Sequence, residues 1–254
     1  MRIVLFAAIF TLASLAHADL GQQLEEAHGF TKQERTSRGG ITSDRVHLPF
    51  YGVKIEAGKL LLQEEVRKPN GLVSEIQGKH FKFIAHDRGE FGGGLEAIGP
   101  TGIKTSLGRE NVKGFFRLRG DIYALTGLAH LAGNRGALHR IDEVPAGARL
   151  VLVTRLTGAP EDVIVEDNTV LVLTNSDLEV LHFYKNDLEF FVLVHDGPWD
   201  GVSSNMAKTD TQIAIGMHAG VVVVNLGRWK NSKASYQYYG KPGDDLSIKK
   251  FRTK

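Results

Sequence analysis

The chain has 254 residues, of which 42% are hydrophobic and 24% charged, and it contains no cysteine. This composition excludes an intrinsically disordered or fibrous protein, and the length is sufficient for one sizeable core. The 31 basic and 29 acidic residues nearly cancel, which excludes the wide basic surface that nucleic-acid binding requires. Without cysteine, disulfides, thiolate catalysis and thiolate metal sites are also excluded.

The N-terminal residues 1–18 have the pattern of a secretory signal peptide. A short positive region at Met1-Arg2 precedes the apolar stretch Ile3–Leu15, and Ala16-His17-Ala18 is a small-x-small cleavage site. The apolar stretch is shorter than the about 20 residues that a membrane-spanning helix needs. We therefore expect a bacterial periplasmic or secreted protein with no stable membrane insertion.

Residues 19–45 are predicted to form a short helix followed by a flexible lead-in. Asp19 is a suitable N-cap, the following LGQQLEEAH favours a helix, and Gly29 is a typical helix stop. The lead-in is rich in Thr, Ser, Arg and Gly and shows no periodic pattern of apolar residues.

From residue 46 onward the pattern is that of short β-strands separated by turn residues. Four similar strand-turn-strand units begin at Phe81, Ile122, Val170 and Ile213, at spacings of 41, 48 and 43 residues. A fifth hairpin begins at Tyr51, and further strand candidates flank each unit, for example VKGFFRL ahead and LEFFVLV behind. Central strands such as VLVL and VVVV are almost continuously apolar, which is typical of strands covered on both faces.

These repeats resemble the blades of a β-propeller, whose period is about 40–50 residues. The resemblance covers roughly residues 50–245 and concerns the fold only, because no blade signature such as a Gly-His…Trp-Asp pair is present. It implies a single all-β domain over 46–245, with about five four-stranded blades, and a basic tail over 246–254. Residues 235–239 are expected to pair with residues 46–55 to close the ring. The alternative architecture is a β-sandwich.

Histidines recur in nearly equivalent turns of the predicted blades. In propellers, the turn between the second and third strands shares a face with the loops that join successive blades, and this face commonly carries function. The resemblance therefore implies that the candidate bases lie on one face, with acidic residues nearby as orienting groups or ligands. These candidates are His86, His130, His195 and His218, with Asp87, Asp196 and Asp200. Imidazoles and carboxylates of this kind suit acid–base catalysis or a divalent metal, although no cofactor is required.

The run His195-Asp196-Gly197-Pro198-Trp199-Asp200 is the densest functional patch in the sequence. An aromatic residue flanked by carboxylates on a Gly-Pro loop suits the anchoring of a protein partner. We include Arg88 and Arg135, which lie in the second-to-third-strand turns, as further partner-binding candidates.

Two functions follow from these observations. The first is a non-enzymatic binding module of the cell envelope, either a scaffold or an inhibitor or immunity protein for an exported enzyme or toxin. It is favoured because the chain lacks the Gly-x-Ser-x-Gly, His-Glu-x-x-His, phosphate-loop and calcium-loop motifs. The alternative is a propeller hydrolase or lyase whose histidines line a central site, with or without a divalent metal, that acts on a sugar, lactone or peptide.

Overall fold

A computed structural model describes residues 19–33, 48–65, 72–130, 133–185, 187–199, 203–226 and 234–242. The predicted signal peptide, most of the predicted lead-in and the predicted basic tail lie outside these ranges. Within them, no helix is long and apolar enough to cross a membrane.

The described strands form five antiparallel sheets, which we number as blades in chain order. Blade 1 contains β2 (Phe50–Glu56) and β3 (Lys59–Glu65). Blade 2 contains β4 (Leu72–Gln77), β5 (Lys82–Asp87), β6 (Gly93–Ile98) and β7 (Lys104–Gly108). Blade 3 contains β8 (Val112–Leu118), β9 (Asp121–His130), β10 (Gly133–Val144) and β11 (Gly147–Leu156).

Blades 4 and 5 follow the same up-and-down order of strands. Blade 4 contains β12 (Pro160–Glu166), β13 (Thr169–Thr174), β14 (Leu178–Tyr184) and β15 (Asp187–Val194). Blade 5 contains β16 (Ser203–Lys208), β17 (Gln212–Met217), β18 (Gly220–Asn225) and β19 (Ser235–Gly240), with β1 (Thr31–Gln33) added outside β19.

The first strands of the blades pack beside one another in the order β4, β8, β12, β16 and β2. Among the described residues, each neighbouring pair of blades in this order encloses its own apolar core, so that each of the four cores lies between two blades. Strands such as β13 and β18 are therefore buried on both faces, as their continuous apolar runs predict. The predicted β-propeller is confirmed, and the β-sandwich alternative is wrong because the strands form five sheets instead of two.

The N-terminal segment completes blades 1 and 5. The predicted helix is confirmed as α1 (Leu20–His28), with Asp19 as its N-cap and Gly29 in the left-handed conformation at its end. Gln23 accepts a hydrogen bond from Leu60 N at 2.7 Å, and His28 Nε2 lies 3.0 Å from Leu60 O. Side chains of helix α1 thus contact both backbone groups of Leu60 on the outer edge of β3.

The predicted closure of residues 235–239 against residues 46–55 is wrong. Strand β19 instead lies between β18 and β1, with Tyr239 opposite both Val221 and Lys32. The edge of β19 that does not pair with β18 is occupied by β1, whereas β2 pairs with β3 through the turn at Ala57-Gly58, both in the left-handed conformation.

Candidate functional site

One face of the propeller, which we call the upper face, carries the second-to-third-strand turns and the loops that lead to the next blade. The four predicted histidines belong to this face. His86 and His130 lie at the ends of β5 and β9, His195 directly follows β15, and His218 lies between β17 and β18.

These histidines do not converge on a common point. His130 Nε2 lies 2.9 Å from Glu90 Oε2, whereas the ring of His218 is buried 5.0 Å from the ring of Phe50. Among the described residues, one group has ligand atoms close enough for a metal ion, and it contains only one of the histidines, His195. The expectation of a histidine-lined centre is therefore corrected, because His130, His195 and His218 contact groups on blades 2, 4 and 1, respectively.

The other predicted site residues occupy different environments. Asp87 is buried and its Oδ2 lies 2.7 Å from Lys113 Nζ, so it ties blade 2 to blade 3. Arg88 and Arg135 are exposed on the upper face. Trp199 is fully buried, and its Nε1 donates to Thr174 O at 3.0 Å. A role as an exposed partner anchor is therefore corrected for Trp199, and Asp200 lies outside the described residues.

Blade 4 builds the site around the turn between β13 and β14. Thr174 Oγ1 accepts a hydrogen bond from Asp177 N at 2.9 Å, and Thr174 N donates to Asp177 O at 2.8 Å. Such a turn closed by a threonine hydroxyl is locally stable, and the Trp199 side chain holds it from below through the Thr174 carbonyl. The position of Asp177 is thus set by its own turn and by the core.

The Asp177 carboxylate holds His195. Its Oδ1 lies 2.9 Å from His195 Nδ1 and accepts a hydrogen bond from Asp196 N at 2.7 Å. The side chain of Asp177 is 2% exposed and that of His195 is 72% exposed. Because a carboxylate only accepts, Nδ1 carries the proton of the neutral ring, and Nε2 keeps a lone pair. We call this arrangement the Asp177–His195 pair.

Asp196 lies on the solvent side of the same imidazole. Its backbone is in the left-handed conformation, with φ of 52°, which aspartate tolerates better than most residues. Its Oδ2 lies 3.4 Å from His195 Nε2. A water molecule at Nε2 would therefore also be near a carboxylate oxygen.

A second carboxyl group is buried behind Asp177. Glu179 is fully buried, and its Oε1 accepts a hydrogen bond from Thr157 N at 2.6 Å. The Thr157 hydroxyl contacts both Glu179 Oε1 and Asp177 Oδ2. Burial raises the pKa of Glu179, the two hydrogen bonds from Thr157 oppose this, and the negative charge of Asp177 raises it further.

The geometry suits proton transfer better than metal binding. The ligand atoms of Asp177, His195 and Asp196 lie within 4.8 Å of one another. However, Asp177 Oδ1 and His195 Nδ1 point at each other across a hydrogen bond, so a metal between them would have to break the contact that orients the ring. A metal ion at Asp177 Oδ1 and His195 Nδ1 would therefore compete with the hydrogen bond that holds the imidazole.

Sequence reasoning selected His195 and Asp196 but not Asp177, Glu179 or Thr157. A usable signal was present, because Glu179 is the one charged residue within the β14 run LEVLHFY, between strands of a buried blade. Asp177 lies two positions earlier, and side chains two apart on a strand face the same side. Nothing local marks Thr157, since it comes from the loop after β11 in the preceding blade.

Comparison with known proteins gives only a distant likeness. No family model and no curated protein sequence matches the chain. Among solved structures, the chain is similar to the GH43 endo-arabinanase from Bacillus licheniformis, with 10% identity and a TM-score of 0.34, over 72% of this chain and 75% of that one. This likeness is at the level of the fold, and we take no substrate from it.

The predicted non-enzymatic binding module is corrected in favour of its alternative. The central anchor of the predicted binding patch, Trp199, is inside the core.

Proposed function

We propose that the protein is a hydrolase in which His195, held by Asp177, is the general base. The observation that carries this proposal is the 2.9 Å contact between His195 Nδ1 and a buried Asp177 oxygen, while the His195 side chain is 72% exposed and its Nε2 faces Asp196 Oδ2 at 3.4 Å. A buried carboxylate that orients one ring nitrogen leaves the other available for proton transfer, which is the arrangement of an activated histidine.

The reaction proceeds by proton transfer through Nε2. His195 Nε2 removes a proton from a water molecule as the water oxygen attacks a substrate carbonyl carbon. The imidazolium that forms is stabilised by the negative charge of Asp177, which itself takes up no proton. When the tetrahedral intermediate collapses, the carbon–oxygen bond to the leaving group breaks and His195 returns the proton to the departing alkoxide.

This chemistry favours an ester or a lactone as substrate. Cleavage of a glycosidic bond needs a carboxylic acid that protonates the leaving oxygen and a second carboxylate on the other side of the bond. Here Asp177 and Glu179 are both buried, so that Asp196 is the one carboxylate of this group that faces solvent, whereas glycosidic cleavage needs two. An acyl–oxygen bond needs only one base and one returned proton, which His195 supplies. The leader-like segment 1–18 supports placing this activity outside the cytoplasm.

The test is proton release from a panel of aryl esters, alkyl esters and lactones, followed at constant pH. We expect His195→Ala to lower kcat/KM about 100-fold or more for the preferred substrate. His130→Ala is the matched control, because His130 also contacts a carboxylate on the upper face, and it should behave as the unmodified protein. Equal activity of the two variants would contradict the proposed function.

A further inference from the structure

Thr157 lies between two carboxyl groups but has only one hydroxyl proton. Its Oγ1 contacts Asp177 Oδ2 and Glu179 Oε1. The hydroxyl can donate to one of these oxygens, and it can accept from the other only if that carboxyl is protonated. If both carboxyls were ionised, the Thr157 oxygen and one carboxylate oxygen would face each other with no proton between them. The contacts are therefore all satisfied when the two carboxyls share one proton.

The surroundings decide which carboxyl holds the proton. Asp177 Oδ1 accepts hydrogen bonds from both His195 Nδ1 and Asp196 N, which favour its charged form. Within the part of the chain that the structure describes, Glu179 accepts only from Thr157, and its buried Oε2 has no hydrogen-bond partner. An ionised Glu179 would thus bury a charged oxygen without any donor, which is strongly unfavourable.

We propose that Glu179 is a positioning residue held as a neutral carboxylic acid, which donates its proton to Thr157 and thereby directs the Thr157 hydroxyl toward Asp177. The chain of hydrogen bonds runs from Glu179 through Thr157 and Asp177 to His195. It keeps the single negative charge on Asp177, beside the imidazole that must become positive. The positioning role rests on the proposed function, whereas the location of the proton does not.

The location of the proton is tested by carbon-13 NMR on protein labelled at the glutamate side-chain carboxyl. One signal should keep the chemical shift of a protonated carboxyl at a pH at which the other glutamates have ionised. This signal should be absent from the spectrum of Glu179→Gln. Glu189→Gln is the matched control, since Glu189 is exposed on the neighbouring β15 and its removal should leave that signal in place. If Glu179 lost its proton over the same pH range as the other glutamates, the proposal would be overturned.

The positioning role is tested with Thr157, whose substitution leaves both carboxyls in place. Thr157→Ser keeps the hydroxyl, so its kcat should stay within about threefold of that of the unmodified protein. Thr157→Val removes it and should lower kcat about 10-fold with little change in KM, because groups that orient a functional histidine commonly have effects of this size. An unchanged kcat in Thr157→Val would overturn the positioning role. If the unmodified protein hydrolyses none of the panel, the proposed function fails, and the NMR experiment still decides where the proton lies.

Discussion

Two histidine–carboxylate pairs lie on the upper face, and they differ in how the carboxylate is held. His130 Nε2 and Glu90 Oε2 are 2.9 Å apart, as close as His195 Nδ1 and Asp177 Oδ1. Glu90, however, is 44% exposed, on the turn between β5 and β6, whereas Asp177 is 2% exposed. Distance alone therefore does not separate the two pairs.

The difference lies in the groups behind each carboxylate. Asp177 accepts from the backbone of Asp196, contacts the Thr157 hydroxyl, and sits in a turn fixed by Thr174. Glu90 is in a short 3-10 turn with none of its own residues buried. A pre-organised base needs a partner that cannot move or be replaced by water, and only the Asp177–His195 pair has one.

The largest expected effect comes from removing the charge of Asp177 while keeping its shape. Asp177→Asn should lower kcat on the order of 100- to 1,000-fold, because the amide no longer stabilises the imidazolium formed on His195. Glu90→Gln, the same change in the exposed pair, should leave kcat unchanged. Steady-state kinetics on the preferred ester or lactone measure both, and a comparable loss in both variants would show that the two pairs are functionally equivalent.

The next effect comes from the core beneath the site. Trp199→Phe removes the Nε1 hydrogen bond to Thr174 O and part of a fully buried ring. We expect the free energy of unfolding to fall by about 2 kcal/mol, from the lost hydrogen bond and the lost packing. Urea denaturation measures this change. A change below about 0.5 kcal/mol would mean that the turn carrying Asp177 does not depend on Trp199.

The fold was largely predictable from the sequence, and the reason is physical. The apolar runs of β13 and β18 recur at the spacing of a blade, and burial on both faces follows directly from their composition. The partner of β19 was not predictable, because three-residue β1 carries almost no pattern and pairs across more than 200 residues of sequence. Backbone hydrogen bonds of this kind leave no trace in side-chain periodicity.

The site was predictable only in part. His195 and Asp196 are conspicuous because they lie together on a polar loop. Their partners are separated from them in sequence, since Asp177 comes from another turn of blade 4 and Thr157 from the end of blade 3. Trp199 looked like an exposed anchor in the same loop, and only the three-dimensional packing shows that it faces inward.

A smaller effect is expected in the pH dependence of the free energy of unfolding, and it comes from Glu179 behind the Asp177–His195 pair. The pKa of Glu179 is raised mainly by burial. As pH rises above the ordinary glutamate range, the unfolded chain loses this proton before the folded protein does, so the free energy of unfolding falls. Glu179→Gln removes that loss and should be more stable than the unmodified protein at pH 8 by on the order of 1 kcal/mol, with a smaller gain at pH 4. Chemical denaturation at both pH values measures it, and an equal gain at each would contradict a raised pKa.

The smallest effect is expected in the exposed pair itself. Both side chains of the His130–Glu90 pair are more than 40% exposed, at 42% and 44%. Solvent-exposed ion pairs contribute little because water and salt screen the charges and because two flexible side chains must be ordered. Glu90→Gln should therefore change the free energy of unfolding by less than about 0.5 kcal/mol at pH 6, and the change should shrink further in 1 M salt, since the Debye length is then about 3 Å. A loss above about 1 kcal/mol that persists in high salt would show that Glu90 is held by the fold as Asp177 is, and burial would no longer distinguish the two pairs.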